Sequence, residues 1–497
     1  MVAEAPSPRK CRPESYRSSG QTGRYPQGVL LRVAVVLSAL AAAVTLAAKA
    51  SHAAPSPGPK YVAPAGSGAL FLISGHGYGH GVGMGQWGAQ GYAKQGYTYD
   101  QILAAYYPGT ILGQTTATSI RVLLASGKKK LTISSKKQIT VEDADGLDHT
   151  LAAGTTTIAP NLELAVDGGP AQALDPPLTF SPAAGSALTF GGRRYRGRIL
   201  VDVPNGKLRA INVLPLEQYL YGVVPAEMPS VWLPAALDAQ AVAARSYALA
   251  SRKAGAPFDV YADGRSQAYL GVSAETPAGK QAVDETAGDV LLYNGGVADT
   301  LFSSSSGGWT QSAADAFGNP GRPYLVSVRD PYDTISPYHD WGPVPVTGKT
   351  LGSAVGAVGR VVDVTVKRNS SRRVKTLKVT SLSRGSQLTT AVGGASIASA
   401  LGLRSSWFNV GVLSLQPPSS NPAVASGTRI KLAGVVRGVS GVVLQRSTTG
   451  TPWSQFRSIA KTGAFQFSVK PKVTTRYRLA TQNDAAAPVR IRVQALP

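Results

Sequence analysis

From Thr118 to Val213 the chain alternates short apolar runs with turn residues, as in Ile120-Arg121-Val122-Leu123-Leu124, Leu131-Thr132-Ile133 and Ile199 to Val203. That spacing predicts strands. Pro204-Asn205-Gly206 separates Ile199–Val203 from Leu208–Val213, and a Gly-bearing break of this size predicts a hairpin. Two helical segments interrupt the strands. The first covers Trp87 to Lys94, with a second short piece after Gly96 through Ile102 to Tyr106. The other is better defined: Pro234 suits a first helical turn, Ala235 to Lys253 holds no Gly or Pro, and Gly255 closes it. Leu237, Ala241, Ala244 and Ala248 recur at helical spacing and form a narrow face of small residues, so this helix is expected to lie close against a sheet as the buried spine of its domain.

At the amino terminus the pattern changes. Arg9, Lys10, Arg12, Arg17, Arg24 and Arg32 precede Val33 to Ala48, where Ser38 and Thr45 are the only polar side chains. This core is shorter than the roughly 20 apolar residues of a spanning helix. Ala48-Lys49-Ala50 and Ser51-His52-Ala53 offer small-x-small cleavage patterns, so residues 1–53 read as a signal peptide, with an uncleaved signal anchor as the alternative. Either reading places the bulk outside the cytoplasm, secreted or at the cell wall, with a membrane as partner only if the segment stays uncleaved. Residues 54–69 form a linker rich in Pro, Ala, Ser and Gly. A globular stretch follows at 70–412, a second linker at 413–424, and a small module at 425–497. The expected fold class is α+β: a mostly β domain with a buried helix after Pro-Ala-Glu-Met-Pro, plus a small C-terminal β-sandwich.

Charge distinguishes that last module. The chain carries 50 Lys and Arg against 27 Asp and Glu, yet residues 415–497 hold twelve basic residues and the single acid Asp484. Arg476 and Arg478 alternate with Tyr477 and Leu479, and Arg490 and Arg492 with Val489, Ile491 and Val493, which puts the cations on one side of strands. Two readings stand: adhesion to an anionic polymer such as cell-envelope glycan, or a solvated face that keeps the module soluble. Export disfavours nucleic acid as a partner.

Three stretches carry candidate chemistry. Glu227 lies between Pro225 and Pro229, flanked by Val223, Val224, Met228 and Trp232, just ahead of the second helix. Apolar surroundings raise a carboxyl pKa, whereas a helix amino terminus favours the ionised form. If the site is closed, Glu227 stays protonated near neutrality and is fit to act as a general acid; the alternative is a structural carboxylate at a helix terminus. Gly75 to Ala93, GHGYGHGVGMGQWGAQGYA, combines His76 and His80 with a backbone that can approach a ligand closely, and lacks the Lys of a phosphate-binding loop. Ser303 to Thr310, SSSSGGWT, has no nucleophile-elbow pattern, so a sugar-groove wall is preferred to a serine hydrolase. The lone Cys11 and five scattered His indicate neither a disulfide framework nor a metal site, and no cofactor is expected.

Together GVVPAEMPSVW with ALDAQAVAARSYAL, TLFSSSSGGWTQS, PYLVSVRDPYD, GHGVGMGQWGAQGYA with YYPGT, and LGLRSSWF resemble the bacterial stage II sporulation protein D and LytB family. These are peptidoglycan-active proteins also described as amidase enhancers. The resemblance covers roughly residues 70 to 412. It implies a lytic transglycosylase in which the Glu of the P-x-E-M motif, here Glu227, is the catalytic acid, and in which the sugar's own C6 hydroxyl is the nucleophile, so that one carboxyl serves as acid and then base. It further implies Arg245, Tyr247, Ser305, Ser306, His80 and Gln86 as groove-lining, substrate-binding residues, with Glu217 structural. Peptidoglycan glycan strands are the implied partner. A non-catalytic glycan-binding protein that recruits or enhances a cell-wall amidase is the alternative. In the best-known members the GHGVGM block follows the SSSGG block, whereas here it comes first, as though the domain were circularly permuted. The zinc ligands thought to occur in some members have no counterpart, because no Cys follows residue 11.

Overall fold

A computed structural model describes residues 59–318, 322–418, 423–460 and 462–494. The expected export segment and part of each linker lie outside the described residues. Among the described residues no helix is long and apolar enough to cross a membrane.

The fold is α+β. Five helices build the central part: α1 (Gln86–Lys94), α2 (Tyr99–Tyr106), α3 (Leu216–Glu227), α4 (Pro234–Ala250) and α5 (Pro277–Glu285). The alternating stretch supplies six strands of a seven-stranded sheet and all four of a second sheet that includes Leu131–Ser135; in the larger one Arg198–Asp202 pairs antiparallel with Leu208–Pro215 across the expected turn. Asn205 and Gly206, at φ 56° and 70°, supply the left-handed backbone of that turn.

Helix α4 departs from its expected setting. Instead of lying against a sheet by one face, it is enclosed by α1, α2, α3, α5 and the strand Asp289–Tyr293. Every residue from Ala236 to Ser246 is buried, polar ones included. The small Ala side chains around its whole circumference allow four helices to approach, and Asp238, Gln240, Arg245 and Ser246 must then find partners inside. Ser246 does so by donating to Val242 O (2.8 Å) and accepting from Leu291 N (2.9 Å).

Helix α3 was not anticipated. It begins directly after the strand Leu208–Pro215 and carries Pro225 in its last turn. Motifs far apart in sequence meet nearby: Met84–Gly85 pairs in parallel with Phe302–Ser303, and Tyr78 bridges Ser305. The Gly-rich and serine-rich blocks are therefore neighbours in space despite their reversed order along the chain.

The C-terminal strands do not close on themselves. Leu70–His76 pairs with Phe408–Gln416, which pairs with Ile430–Arg437, and Tyr61–Val62 pairs with Asp484–Ala485. Phe408–Gln416 runs through the start of the linker expected at 413–424. Leu70 and Leu72 pack against Leu413, Leu432, Leu444 and Leu479, whereas Phe71 and Ile73 pack against Val361, Val364, Leu377 and Val379. A strand buried on both faces is apolar at consecutive positions, and this one joins the C-terminal module to the rest of the molecule.

Candidate active site

Glu227 is the last residue of α3, not a residue at the amino terminus of α4, which starts seven positions later. The helix dipole at a carboxyl terminus opposes a negative charge, so the expected stabilisation of the carboxylate by a helix amino terminus is reversed. The side chain is half-buried, and its Oε1 accepts the backbone N–H of Ala268 at 2.6 Å. Burial raises the Glu227 pKa above the usual carboxylate range, and the Ala268 and Gln86 hydrogen bonds pull it partly back. With Oε1 engaged by an N–H donor, the proton of the neutral form belongs on Oε2.

Residues around Glu227 come from three elements. Gln86, the first residue of α1, donates through Nε2 to the Glu227 carbonyl oxygen (3.1 Å) and to Gln240 Oε1 on α4 (3.3 Å). Gln90 Oε1 accepts from Leu233 N (3.0 Å), tying α1 to the loop after Glu227. The rings of Trp87 and Trp232 lie 4.7 Å apart at 60°, and beside them Val231 is 92% exposed and Leu233 40% exposed. Such an apolar lip beside a partly buried carboxyl suits the flat faces of sugar rings. Tyr247 is half-buried, with its ring edge toward Phe302 at 6.4 Å.

Of the substrate-binding residues implied by resemblance, Gln86 is at the Glu227 carbonyl, whereas Tyr247, on α4, lines a cleft with Phe258, Tyr261 and Arg322. Arg245 is fully buried, with its guanidinium on Glu217, Asp289 O and Val283 O, so it lines no groove. Ser305 and Ser306 are likewise buried. Ser305 Oγ lies 2.9 Å from both oxygens of Asp333, which also accepts from Ser306 N and Gly307 N (3.0 Å each), and Ser306 Oγ donates to Asp330 Oδ2 at 2.7 Å. These serines bind the SSSSGG turn to the RDPYD loop rather than to a ligand. His339 Nδ1 is 2.9 Å from Asp333, so the aspartate stands between serine and histidine, and Ser305 has no imidazole to take its proton. His80 is exposed, its Nδ1 accepting from Val82 N (3.0 Å) and its ring 6.2 Å from that of Phe317.

Asp330 in this network is fully buried, and desolvation together with the neighbouring Asp333 pushes its pKa up to about 7. Helix α1 packs tightly on it: a Cβ at Gly88 would overlap the Tyr106 hydroxyl and both Asp330 oxygens. A carboxyl whose pKa is raised on folding adds its full stability below the unfolded value near pH 4 and loses it as pH rises through about 7. The loss is on the order of 4 kcal/mol at about 1.4 kcal/mol per pH unit. Asp330→Asn is therefore expected to flatten the fall in melting temperature between pH 5 and 8; an unchanged slope would place the titration elsewhere.

Residue patterns alone did not point to several neighbours of Glu227. Ala268 acts only through its backbone N–H, which no side-chain motif reports. Gln240 sits within an Ala-rich helix, and the Trp87–Trp232 pair stands inside two separate motifs whose meeting depends on the fold. Among the described residues no three His, Cys, Asp or Glu side chains group as a metal site.

Comparison with known proteins finds likenesses over part of the chain. Residues 204–293, which hold Glu217, Glu227 and Arg245, match the SpoIID family, described as Stage II sporulation protein. Stage II sporulation protein D of Bacillus subtilis (strain 168) is 37% identical over 149 residues, 26% of this chain and 42% of that protein. The Amidase enhancer of the same strain is 40% identical over 114 residues, 23% of this chain and 15% of that protein. An uncharacterized protein of Brachyspira hyodysenteriae (strain ATCC 49526 / WA1) is 40% identical over 143 residues, 28% of this chain and 39% of its own length. The match to the SpoIID family is confined to this segment, and the chain spans less than half the length of these relatives.

Proposed function

We propose that this protein acts on the cell wall as a peptidoglycan lytic transglycosylase, with Glu227 as its single general acid and base. The observation that carries the reading is the Glu227 carboxyl itself: half-buried, held by Ala268 N–H on one oxygen, raised in pKa and beside an aromatic lip. Most glycosidases need a second carboxylate as base or nucleophile. Glu227 forms no ion pair among the described residues and has no acidic neighbour shifting its pKa. Intramolecular attack removes that need. Protonated Glu227 gives its proton to the glycosidic oxygen as the bond to C1 of the muramyl residue breaks. The C6 hydroxyl of the same residue then bonds to C1 and returns its proton to Glu227, leaving a 1,6-anhydro end and a regenerated acid. In this reading Gln86 and Tyr247 are groove residues, and export through residues 1–53 delivers the enzyme to its substrate.

The second reading, a non-catalytic glycan binder that stimulates a cell-wall amidase, is favoured by the likeness to the Amidase enhancer. Mass spectrometry of purified glycan strands, with and without stem peptides, separates the two. Products ending in 1,6-anhydro-muramic acid from the wild type but not from Glu227→Gln support the enzyme. No product from either, with both retained on the strands, supports the binder.

A further inference from the structure

Outside the SpoIID segment, the C-terminal sheets enclose a cleft of about 530 Å³ lined by Arg446, Phe456, Lys470, Lys472 and Tyr477, with Thr448 at its edge. Arg446 lies on the strand Val443–Ser447, paired with Ser454 on one side and Tyr477 on the other. Lys470 and Lys472 come from the loop that leaves Gly463–Val469 in the opposite sheet. The cations thus face one opening from two sheets.

Two observations support an anion-binding arrangement rather than a merely soluble surface. First, the cleft lacks countercharge: Asp484 is the one acid in residues 415–497, and it is buried. Second, the Lys-Pro-Lys loop is fixed in place. Gly427 N donates to Pro471 O and Ser426 Oγ to Lys472 O, both at 2.9 Å, while Pro471 restricts the backbone between the two lysines. Beyond these lining residues, Arg476 donates to Thr449 O at 2.7 Å. Phe456 is 38% exposed with the Arg446 guanidinium 5.0 Å from its ring centre, so an apolar surface for C–H groups adjoins a fork that grips phosphate or carboxylate.

We propose that this cleft binds a linear anionic polymer with repeating phosphate or carboxylate groups on a sugar or polyol backbone. Binding here holds the protein on a charged envelope polymer, independently of any cleavage at Glu227. The cation-lined walls focus the field on such a chain, and the repeat of its charges lets it engage Arg446, Lys470 and Lys472 together.

The test uses the full chain, because strands 61–62 and 70–76 complete the C-terminal sheets. Affinity for poly(glycerol phosphate), polygalacturonate and neutral dextran is measured at about 0.15 M salt for three proteins. These are the wild type, Arg446→Gln/Lys470→Ser/Lys472→Ser, and the charge-matched control Lys128→Ser/Lys129→Ser/Lys130→Ser in the exposed connection between strands Ser119–Lys128 and Leu131–Ser135. The cleft variant is expected to lose at least about tenfold in affinity for an anionic polymer and the control less than about twofold. Binding to both polyanions makes charge the recognised feature, and binding to one names phosphate or carboxylate. Equal losses in the two variants, no loss in the cleft variant, or equal binding of dextran would each overturn the proposal. Unchanged melting temperatures show that the exposed substitutions leave the fold intact.

Discussion

If the protein cleaves glycan strands as proposed, Glu227→Gln is expected to lower the rate by about 10²- to 10⁴-fold, the usual contribution of a positioned general acid, and to raise the melting temperature at neutral pH. Both effects have one cause. Burial disfavours the carboxylate, so the folded protein holds a proton on Glu227 at a pH where the unfolded chain has released it. The folded state therefore loses stability as pH climbs from the unfolded value near 4.3 through the raised folded one. Gln fills the same volume, keeps an oxygen for Ala268 N–H and carries no titrating proton, so it removes that loss along with the acid. The two melting curves should converge at low pH, where Glu227 is protonated in both states. In the wild type, the bond-breaking step should slow as pH rises through the Glu227 pKa, because only the protonated form delivers a proton. A variant with full cleavage activity would sink the assignment. A variant inactive but no more stable at pH 7 would show that the carboxyl is better solvated than its surroundings imply.

Those surroundings were only partly legible in the sequence. The strands between 118 and 213 announce themselves by period, and α4 by its uninterrupted run without Gly or Pro. Helix α3 hides because Gly222 and Pro225 break the helical pattern, yet each has a place in it. A Cβ at Gly222 would come within 2.9 Å of the Tyr269 ring and 3.0 Å of Gly271 O, so the glycine permits close packing. Pro225, in the last turn, forfeits one backbone hydrogen bond without stopping the two residues that complete the helix. The motif thus located Glu227, but the sign of the helix field on it depends on which helix owns it, and that follows from the fold. Strand 70–76 is a second case. Leu70-Phe71-Leu72-Ile73 carries the signature of a strand covered on both faces, but nothing local names Phe408–Gln416 as its partner more than 300 residues away.

Arg245→Met is expected to destabilise the protein by roughly 3–5 kcal/mol, as when one partner is removed from a buried ion pair, with a fall in melting temperature on the order of 10 °C. The guanidinium, with no solvent exposure, spans three elements. It meets Glu217 Oε1 at 3.0 Å and Oε2 at 2.5 Å on α3, Val283 O at 3.3 Å on α5, and Asp289 O at 3.0 Å on the following strand. Met matches the length of the aliphatic stem but leaves two buried carbonyls and the Glu217 carboxylate without their donor. Glu217 is 31% exposed at its side chain and accepts from Gly288 N, so water can reach part of the loss and Glu217→Gln should cost less. Arg245→Lys distinguishes this fork from a simple charge: one ammonium cannot span the carboxylate and both carbonyls, so Lys should recover only a fraction of the stability. The alternative implied by family resemblance, an arginine in the substrate groove, predicts the reverse pattern of weaker glycan binding at an unchanged melting temperature. Because α4 passes Gln240 to Gln86 at one end and Arg245 to Glu217 further along, a loosened Arg245 should also blunt cleavage by freeing α3 to shift Glu227. That loss should be recovered by lowering temperature, whereas the loss in Glu227→Gln should not.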